Sequence, residues 1–385
     1  MEKVMILGAS RTPIGSFLGS LAAHTATALG SRAIAGAVRD SGISPEKVDE
    51  VFMGCVLSAG TGQGPARQAM MSAGLPASAG ATMVNKVCGS GMRSVMMAAN
   101  AIRSEDSRIA VAGGMESMSR APYILDKARS GYRLGDGGVA DAIIKDGLWN
   151  PFSNVHVGIA GELCAEKYGF TRAAQDDFAR LSYERARAAQ KDGTFAAEIT
   201  PVDEVTEDEE PGKVVFEKFA KLRPAFKKDG TITAANASKI NDGAAALVLA
   251  SESAARELGA APKGVLVAAA SHSQDPDWFT TAPAAAMEKV LARAGWRKED
   301  VDLFEINEAF SVVALANMRL AGLPLEKVNV SGGAVALGHP IGASGARILV
   351  TLLNALRRRN LRRGVASICI GGGEALAVAV ESTRN

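Results

Sequence analysis

The sequence predicts a layered α/β fold made of two similar halves, with an insertion in the first. Three observations lead there. Runs of β-branched and small apolar residues alternate with helix-like runs, the pattern of strands covered by helices. Glycine turns follow several of the strand-like runs, and 41 of the 385 residues are glycine. Segments of the first third also recur in the last third, in order and at nearly one spacing. Gly42, Glu46, Val48 and Asp49 match Gly295, Glu299, Val301 and Asp302 at an offset of 253. Ser90, Gly91 and Arg93 match Ser344, Gly345 and Arg347 at 254, and Gly114 and Glu116 match Gly372 and Glu374 at 258.

Each half reads strand, helix, strand, glycine turn, helix, strand. In the first, 3–7 and 50–56 are expected as strands, with helices over 25–41 and 90–104. Met92, Val95, Met96 and Ala99 form the apolar stripe of the second helix. In the second half, 265–270, 303–306 and 365–370 read as strands. The stretch 343–359 reads as a helix with Ile348, Leu352 and Leu356 on one side. Residues 119–240 break the rhythm: a loop-like opening, amphipathic helices near 157–168 and 172–192, an acidic loop and a basic run. The expected organisation is therefore a core half over 1–118, completed by about 241–260, an inserted loop domain over 119–240, and a second core half over 261–385.

Composition narrows the function classes. Apolar residues make up 47% and charged residues 22%, with a mean hydropathy of +0.08, which excludes disorder and collagen-like structure. Forty-three basic residues against 41 acidic give a net charge of +2, too small a field to recruit nucleic acid or a membrane. Cys55, Cys88, Cys164 and Cys369 form no CxxC and no Cys/His cluster, so neither zinc nor a disulfide framework is expected. No uncharged apolar stretch is long enough to span a bilayer. The opening Met1-Glu2-Lys3-Val4-Met5-Ile6 enters a strand-like run without the layout of a signal peptide, and a cytoplasmic location is expected.

Three segments combine glycine turns with a reactive side chain. In Asn85-Lys86-Val87-Cys88-Gly89-Ser90-Gly91, an apolar run ends in Cys88 and a helix begins. Unpaired N–H groups and the helix dipole there stabilise a thiolate and suit a nucleophile. Position alone leaves open an inert buried thiol. His339, one of four histidines, stands in Gly338-His339-Pro340-Ile341-Gly342 at a rigid turn before a helix. A capping or core histidine is the alternative, and the glycine spacing is not the dinucleotide fingerprint. In Cys369-Ile370-Gly371-Gly372-Gly373-Glu374, a second cysteine ends a strand, and the glycine N–H groups can converge on an anion or simply form a hairpin. All three segments fall where α/β folds usually bind ligands, at or beyond the C-terminal ends of strands.

These segments, with Arg11-Thr12-Pro13-Ile14-Gly15, Gly113-Gly114-Met115-Glu116-Ser117-Met118-Ser119, Asn236-Ala237-Ser238 and Asn307-Glu308-Ala309-Phe310, make the whole chain resemble the thiolase family. Within that family it is most similar to the biosynthetic, acetoacetyl-CoA type. The resemblance implies a thiolase fold, a five-layer αβαβα arrangement of two similar βαβ-type halves plus a loop domain for coenzyme A binding and oligomerisation. It implies a reversible Claisen condensation of two acetyl-CoA to acetoacetyl-CoA and CoA, through an acetyl-cysteine. Cys88 resembles the acylated nucleophile, His339 its activating base, and Cys369 the acid/base serving the acetyl α-carbon and the CoA sulfur. Asn307 would hold a water that forms one oxyanion hole with His339, and the Cys88 and Gly371 N–H groups would form the other. Ser238 matches a pantetheine contact, and His156, Leu222, Phe226, Ala234, Phe279, Ala309 and Phe310 match pocket positions. The resemblance implies no metal and no cofactor beyond the substrates acetyl-CoA, acetoacetyl-CoA and CoA, and a homotetramer assembled through a loop beginning near Ser119.

Two positions depart from the subgroup: Val157 and Phe279 stand where methionine is common, so the acyl end of the pocket differs in shape. For the basic side chains Lys213, Lys218, Lys221, Arg223, Lys227 and Lys228, a solvated face balancing the acidic loop competes with holding CoA phosphates. Other readings are a degradative 3-ketoacyl-CoA thiolase of broader chain length, a decarboxylating condensing enzyme, and a non-catalytic acyl-CoA binding protein. Condensing enzymes of the second kind pair their cysteine with two histidines, or with histidine and asparagine, whereas this chain has Cys369. A binding protein would be expected to lose Cys88 or His339, and both are present.

Overall fold

The computed structural model describes residues 2–383. The first half opens with the fully buried strand β1 (Val4–Arg11) and helix α1 (Ala26–Ser41). The Thr25 hydroxyl caps α1 by accepting from the Ala28 N–H, and Gly42 ends it in the left-handed region at φ 70°. Then come β2 (Glu50–Gly54), α2 (Pro65–Ser72), β3 (Gly80–Val84), α3 (Ser90–Arg103) and β4 (Ile109–Ser117). An excursion containing α4 (Gly158–Tyr168) and α5 (Arg172–Lys191) returns as β5 (Asn241–Ser251). The second half runs β6 (Gly264–Ser273), α6 (Ala282–Ala294), β7 (Leu303–Ile306), α7 (Ser311–Ala321), α8 (Ser344–Arg358), β8 (Arg363–Ile370) and β9 (Glu374–Ser382).

The strands form one ten-stranded mixed sheet, ordered β7-β8-β9-β6-β1-β5-β4-β2-β3 with a short strand on β5. The two halves meet edge to edge where β1 pairs antiparallel with β6, Val4 opposite Leu266. Side-chain alternation divides the helices into layers. Val4 and Ile6 of β1 join a cluster with Met92 and Val95 of α3 and Ile348 and Leu352 of α8. Met5 and Leu7 face the other way, onto Leu29 and Ile34 of α1 and Met70 of α2. Leu376 and Val378 of β9 join the α3/α8 cluster, while Ala375 and Ala377 face Met287 of α6 and Met318 of α7. The result is the expected five layers, because the sheet wraps the central helices: outer helices, the strands of one half, the α3/α8 pair, the strands of the other half, outer helices.

The duplication is visible in geometry. Gly42 and Gly295, 253 apart, both end helices with positive φ, 70° and 67°. Gly91 and Gly345 sit where α3 crosses α8. A Cβ on Gly91 would lie 2.9 Å from the Ala346 nitrogen, and one on Gly345 would lie 2.5 Å from that of Met92. Only glycine permits so close an approach, and it brings the N-termini of both central helices to one place. The third sequence match does not mark equivalent positions. Gly114 and Glu116 lie inside β4, whereas Gly372 lies in a hairpin turn. The equivalent strands β4 and β8 begin at Ile109 and Arg363, which keeps the offset of 254.

Elements α2, β3 and α7 were not expected. β3 is an edge strand in which only Val84 is buried, with Gly80 and Met83 exposed and Ala81 and Thr82 half-buried, so it lacks clean alternation. α7, Ser311-Val312-Val313-Ala314, is covered on nearly every side and shows no polar face to reveal its period. The run leading to Cys88 is also shorter than expected, since β3 stops at Val84 and leaves Cys88 in a loop.

Candidate active site

The loop between β3 and α3 carries Cys88. Ser90 stitches it: its hydroxyl accepts from the Lys86 N–H at 2.9 Å and donates to the Val87 carbonyl at 2.6 Å. Asn85 Oδ1 accepts from the Val87 N–H at 3.1 Å. These bonds hold Val87, a β-branched residue, at φ 47°. That conformation costs roughly 1–3 kcal/mol and persists only where surroundings impose it. The strained turn sets the half-buried Cys88 thiol against the β8–β9 hairpin. There the Gly371 N–H and Cys88's own N–H stand beside the sulfur and favour its thiolate. Gly372 and Gly373, at φ 94° and 87°, make that hairpin possible, and Lys86 pairs with Glu374 at its far side.

A helix start was expected to lower the Cys88 pKa. Burial wins instead and pushes the thiol up to about 11, with Glu116 adding to the rise, although both N–H donors oppose it. Free Cys88 is thus a protonated thiol at neutral pH and needs a base.

His339 offers an unprotonated ring nitrogen. It is 5% exposed, and its backbone N–H donates to Asn241 Oδ1 at 3.0 Å. The Ser344 hydroxyl donates to the Pro340 carbonyl at 2.9 Å, so it must accept from His339 Nδ1–H, 2.6 Å away. That chain assigns the proton to Nδ1 and leaves Nε2 as a bare lone pair. Nε2 is buried and has no partner among the described residues. Burial, helped by the Arg347 charge, lowers the imidazole pKa to about 3. His339 therefore rests neutral, as a general base requires. Asn307 is fully buried too: its N–H donates to the Ser367 carbonyl at 2.9 Å, and both side-chain amide atoms lack a protein partner. Such atoms are costly to bury unless something else pairs with them.

Cys369 lies near the end of β8, 1% exposed. Its thiol is held well above the ordinary range by burial first, then by Cys88 and Cys164 nearby. The resting group is a firmly protonated acid. Cys369 also belongs to an apolar cluster with Phe279, Ala309 and Phe310, against which Val157 and Phe226 pack. His156 stacks on Phe226 with centroids 4.7 Å apart, and Phe226 meets Phe310 edge-on at 5.8 Å. The Gly158 N–H donates to His156 Nδ1, which puts that ring's proton on Nε2. Ser238 joins the same wall through its N–H on the Ala309 carbonyl, 3.0 Å. Leu222 packs elsewhere, beside Phe219 and Leu337, and Ala234 is exposed. A cleft of about 650 Å³ reaches the Cys88 loop between Val87, Gly371, Val157 and the hairpin bearing Trp149 and Phe152.

Of the basic run, Lys213 is taken by Glu209 and Ser16, and Lys227 by Glu166. Lys218, Lys221, Arg223 and Lys228 make no ion pair among the described residues. Among those residues no three His, Cys, Asp or Glu side chains gather as a metal site.

Sequence reasoning did not find the groups that hold this geometry. Buried Glu116 accepts from the N–H groups of Val56, Leu57 and Gly342 at 2.9–3.1 Å, tying the loop after β2 to the His339 segment. Burial lifts its pKa to about 7 against those three donors. Glu308 accepts from Ser182, Asn329 and the Val335 N–H. Glu116 does stand in the glycine-rich run Gly113-Gly114-Met115-Glu116, but nothing in the local pattern shows that it or Glu308 is buried among donors.

Two neighbouring thiols, the Gly371 N–H beside one of them, and a neutral imidazole of fixed tautomer are groups suited to thioester chemistry at the junction of two duplicated halves. The comparisons with known proteins agree. The family description "Thiolase, N-terminal domain" matches residues 4–253, and "Thiolase, C-terminal domain" matches 260–382. The chain belongs to the thiolase family, and its fold is the thiolase fold. It is 49% identical to an acetyl-CoA acetyltransferase of Cupriavidus necator, covering 99% of this chain and 100% of that protein. It is 51% identical to acetyl-CoA acetyltransferase 2 of Arabidopsis thaliana, covering 98% and 96%. Among solved structures, Acat5 thiolase from Ascaris suum in complex with coenzyme A superposes with a TM-score of 0.96, at 44% identity, covering 99% of this chain and 100% of that one.

Proposed function

We propose that this protein is an acetyl-CoA C-acetyltransferase that condenses two acetyl-CoA to acetoacetyl-CoA and CoA, and runs the reverse thiolysis. The observation that carries the reading is the neighbouring thiols Cys88 and Cys369, with the Gly371 N–H beside the Cys88 sulfur. His339 Nε2 takes the Cys88 proton as the sulfur attacks the first acetyl thioester. The N–H groups of Cys88 and Gly371 and the pair Asn307/His339 stabilise the oxyanions, each donor being worth about 10²–10³ in rate. The CoA thiolate leaves with the proton of Cys369, whose raised pKa suits it as the acid. Cys369 thiolate then removes an α-proton from the second acetyl-CoA. The resulting carbanion attacks acetyl-Cys88, and the released Cys88 thiolate recovers its proton from His339. Protons and charges balance over the cycle.

CoA would lie along Ser238, His156 and Phe226, with Leu222 and Ala234 further out and Lys218, Lys221, Arg223 and Lys228 available to its phosphates. The segment after Ser119 supports assembly. Tyr123, Leu125, Leu134 and Val139 are all more than half exposed, an apolar set that a monomer rarely leaves in water. Light scattering should give a homotetramer. In place of methionine, Val157 shortens one wall of the acyl pocket and Phe279 thickens another. A methylene is worth about 1–3 kcal/mol in such a pocket. Thiolysis kcat/KM should therefore be highest for acetoacetyl-CoA, lower for 3-ketohexanoyl-CoA and poor for long chains. A maximum at eight carbons or more would instead make the protein a degradative 3-ketoacyl-CoA thiolase. The four unpaired thiols and the lack of any helix long and apolar enough to cross a membrane, among the described residues, support a cytoplasmic location.

A further inference from the structure

Lys239 is a titratable group beside the site that the mechanism does not use. Lys239 follows Ser238 directly, and its ammonium turns back into the protein. It donates to the Ala237 carbonyl at 3.2 Å and to the Val335 carbonyl at 2.6 Å, and stands 4.8 Å from the centre of the Tyr183 ring. Two carbonyls and a π-face use all three of its N–H bonds. No carboxylate lies within ion-pair distance of it among the described residues. Burial draws its pKa down to about 8, while the more distant Glu210 and Glu308 pull it back.

The two carbonyls belong to different parts of the site. Ala237 lies in the turn that carries Ser238. Val335 opens the segment that ends in His339, and its own N–H donates to Glu308 at 3.1 Å. Val335 is thus held between a carboxylate on one side and an ammonium on the other. Two residues past Lys239, Asn241 Oδ1 takes the His339 N–H. The stretch 238–241 therefore grips the His339 segment at both ends.

We propose that the Lys239 ammonium is a tethered cation that locks the Ala237–Ser238 turn to the Val335–His339 segment and so fixes the thioester-binding wall against the base. Lys239 is a positioning residue, and the inference rests on the thiolase reading given above. A neutral side chain of equal length would fill the space but release the two carbonyls, which would drift apart. Displacements near 1 Å at a base cost up to about a hundredfold in rate.

Lys239→Met in the full-length protein should lower thiolysis kcat by roughly ten- to a hundredfold, and slow iodoacetamide alkylation of Cys88 in parallel, with the melting transition kept. Excess ammonium chloride should restore several-fold of that activity, and tetramethylammonium chloride, too large for the site, should not. Lys239→Gly, which leaves more room, should respond to ammonium more strongly. Wild-type kcat in Lys239→Met, or a folded and impaired pair of variants that ammonium does not help, would overturn the proposal. So would loss of fold in both, which would make Lys239 a stability element. An inactive wild type would instead overturn the thiolase reading itself.

Discussion

Cys88→Ala should abolish both acetyl transfer and condensation, by a factor on the order of 10⁴ or more, because no other group can carry the acetyl between the two half-reactions. The fold should survive, since the loop is held by Ser90 and Asn85 and not by the thiol. The same side chain should dominate chemical labelling. Cys55 and Cys164 are buried completely, and burial raises the pKa of each, Cys164 to about 11 and Cys55 further, beside the carboxylate of Glu116. Brief iodoacetamide treatment should therefore alkylate Cys88 first, and acetyl-CoA should protect it. The pH dependence follows from the same environment. With its pKa raised to about 11, the Cys88 thiol gains thiolate steadily as pH rises, so alkylation should climb through pH 6–9. His339, held neutral with a pKa of about 3, should contribute no inflection near 6.5. Equal labelling of Cys55 and Cys164 with activity retained would contradict the assignment.

Cys369→Ala should separate the two half-reactions. Acetyl transfer to Cys88 should persist in part, because the Gly371 N–H and His339 remain. Condensation should fall by about 10²–10⁴-fold, the usual contribution of a positioned acid/base. Alanine fits the space, since Cys369 packs in an apolar cluster with Phe279, Ala309 and Phe310. Condensation at the wild-type rate would remove Cys369 from the proton path.

The division between what could be read in the sequence and what could not has a physical basis. The duplication was legible because helix ends and helix crossings demand glycine: Gly42 and Gly295 in the left-handed region, Gly91 and Gly345 at the α3/α8 contact. Cys88, His339 and Cys369 were legible because each stands beside glycines that a turn requires. Burial was not legible. It reversed the expected direction for Cys88, where two N–H donors were set against the loss of water. The supports of the site were also hidden. Glu116 reaches Gly342 across 226 residues, and Lys239 reaches Val335 across 96, contacts that no local pattern announces. The edge strand β3 and the buried helix α7 escaped because neither shows the one-sided periodicity on which pattern reading depends.

The central claim is that Cys88 carries the acetyl group and Cys369 moves the proton. Mass spectrometry of Cys369→Ala after incubation with acetyl-CoA tests it most directly. One acetyl group should appear on the peptide containing Cys88, in stoichiometric amount, and it should persist because the second half-reaction is blocked. Acetyl on any other residue, or no acetyl while acetoacetyl-CoA still forms, would contradict the account.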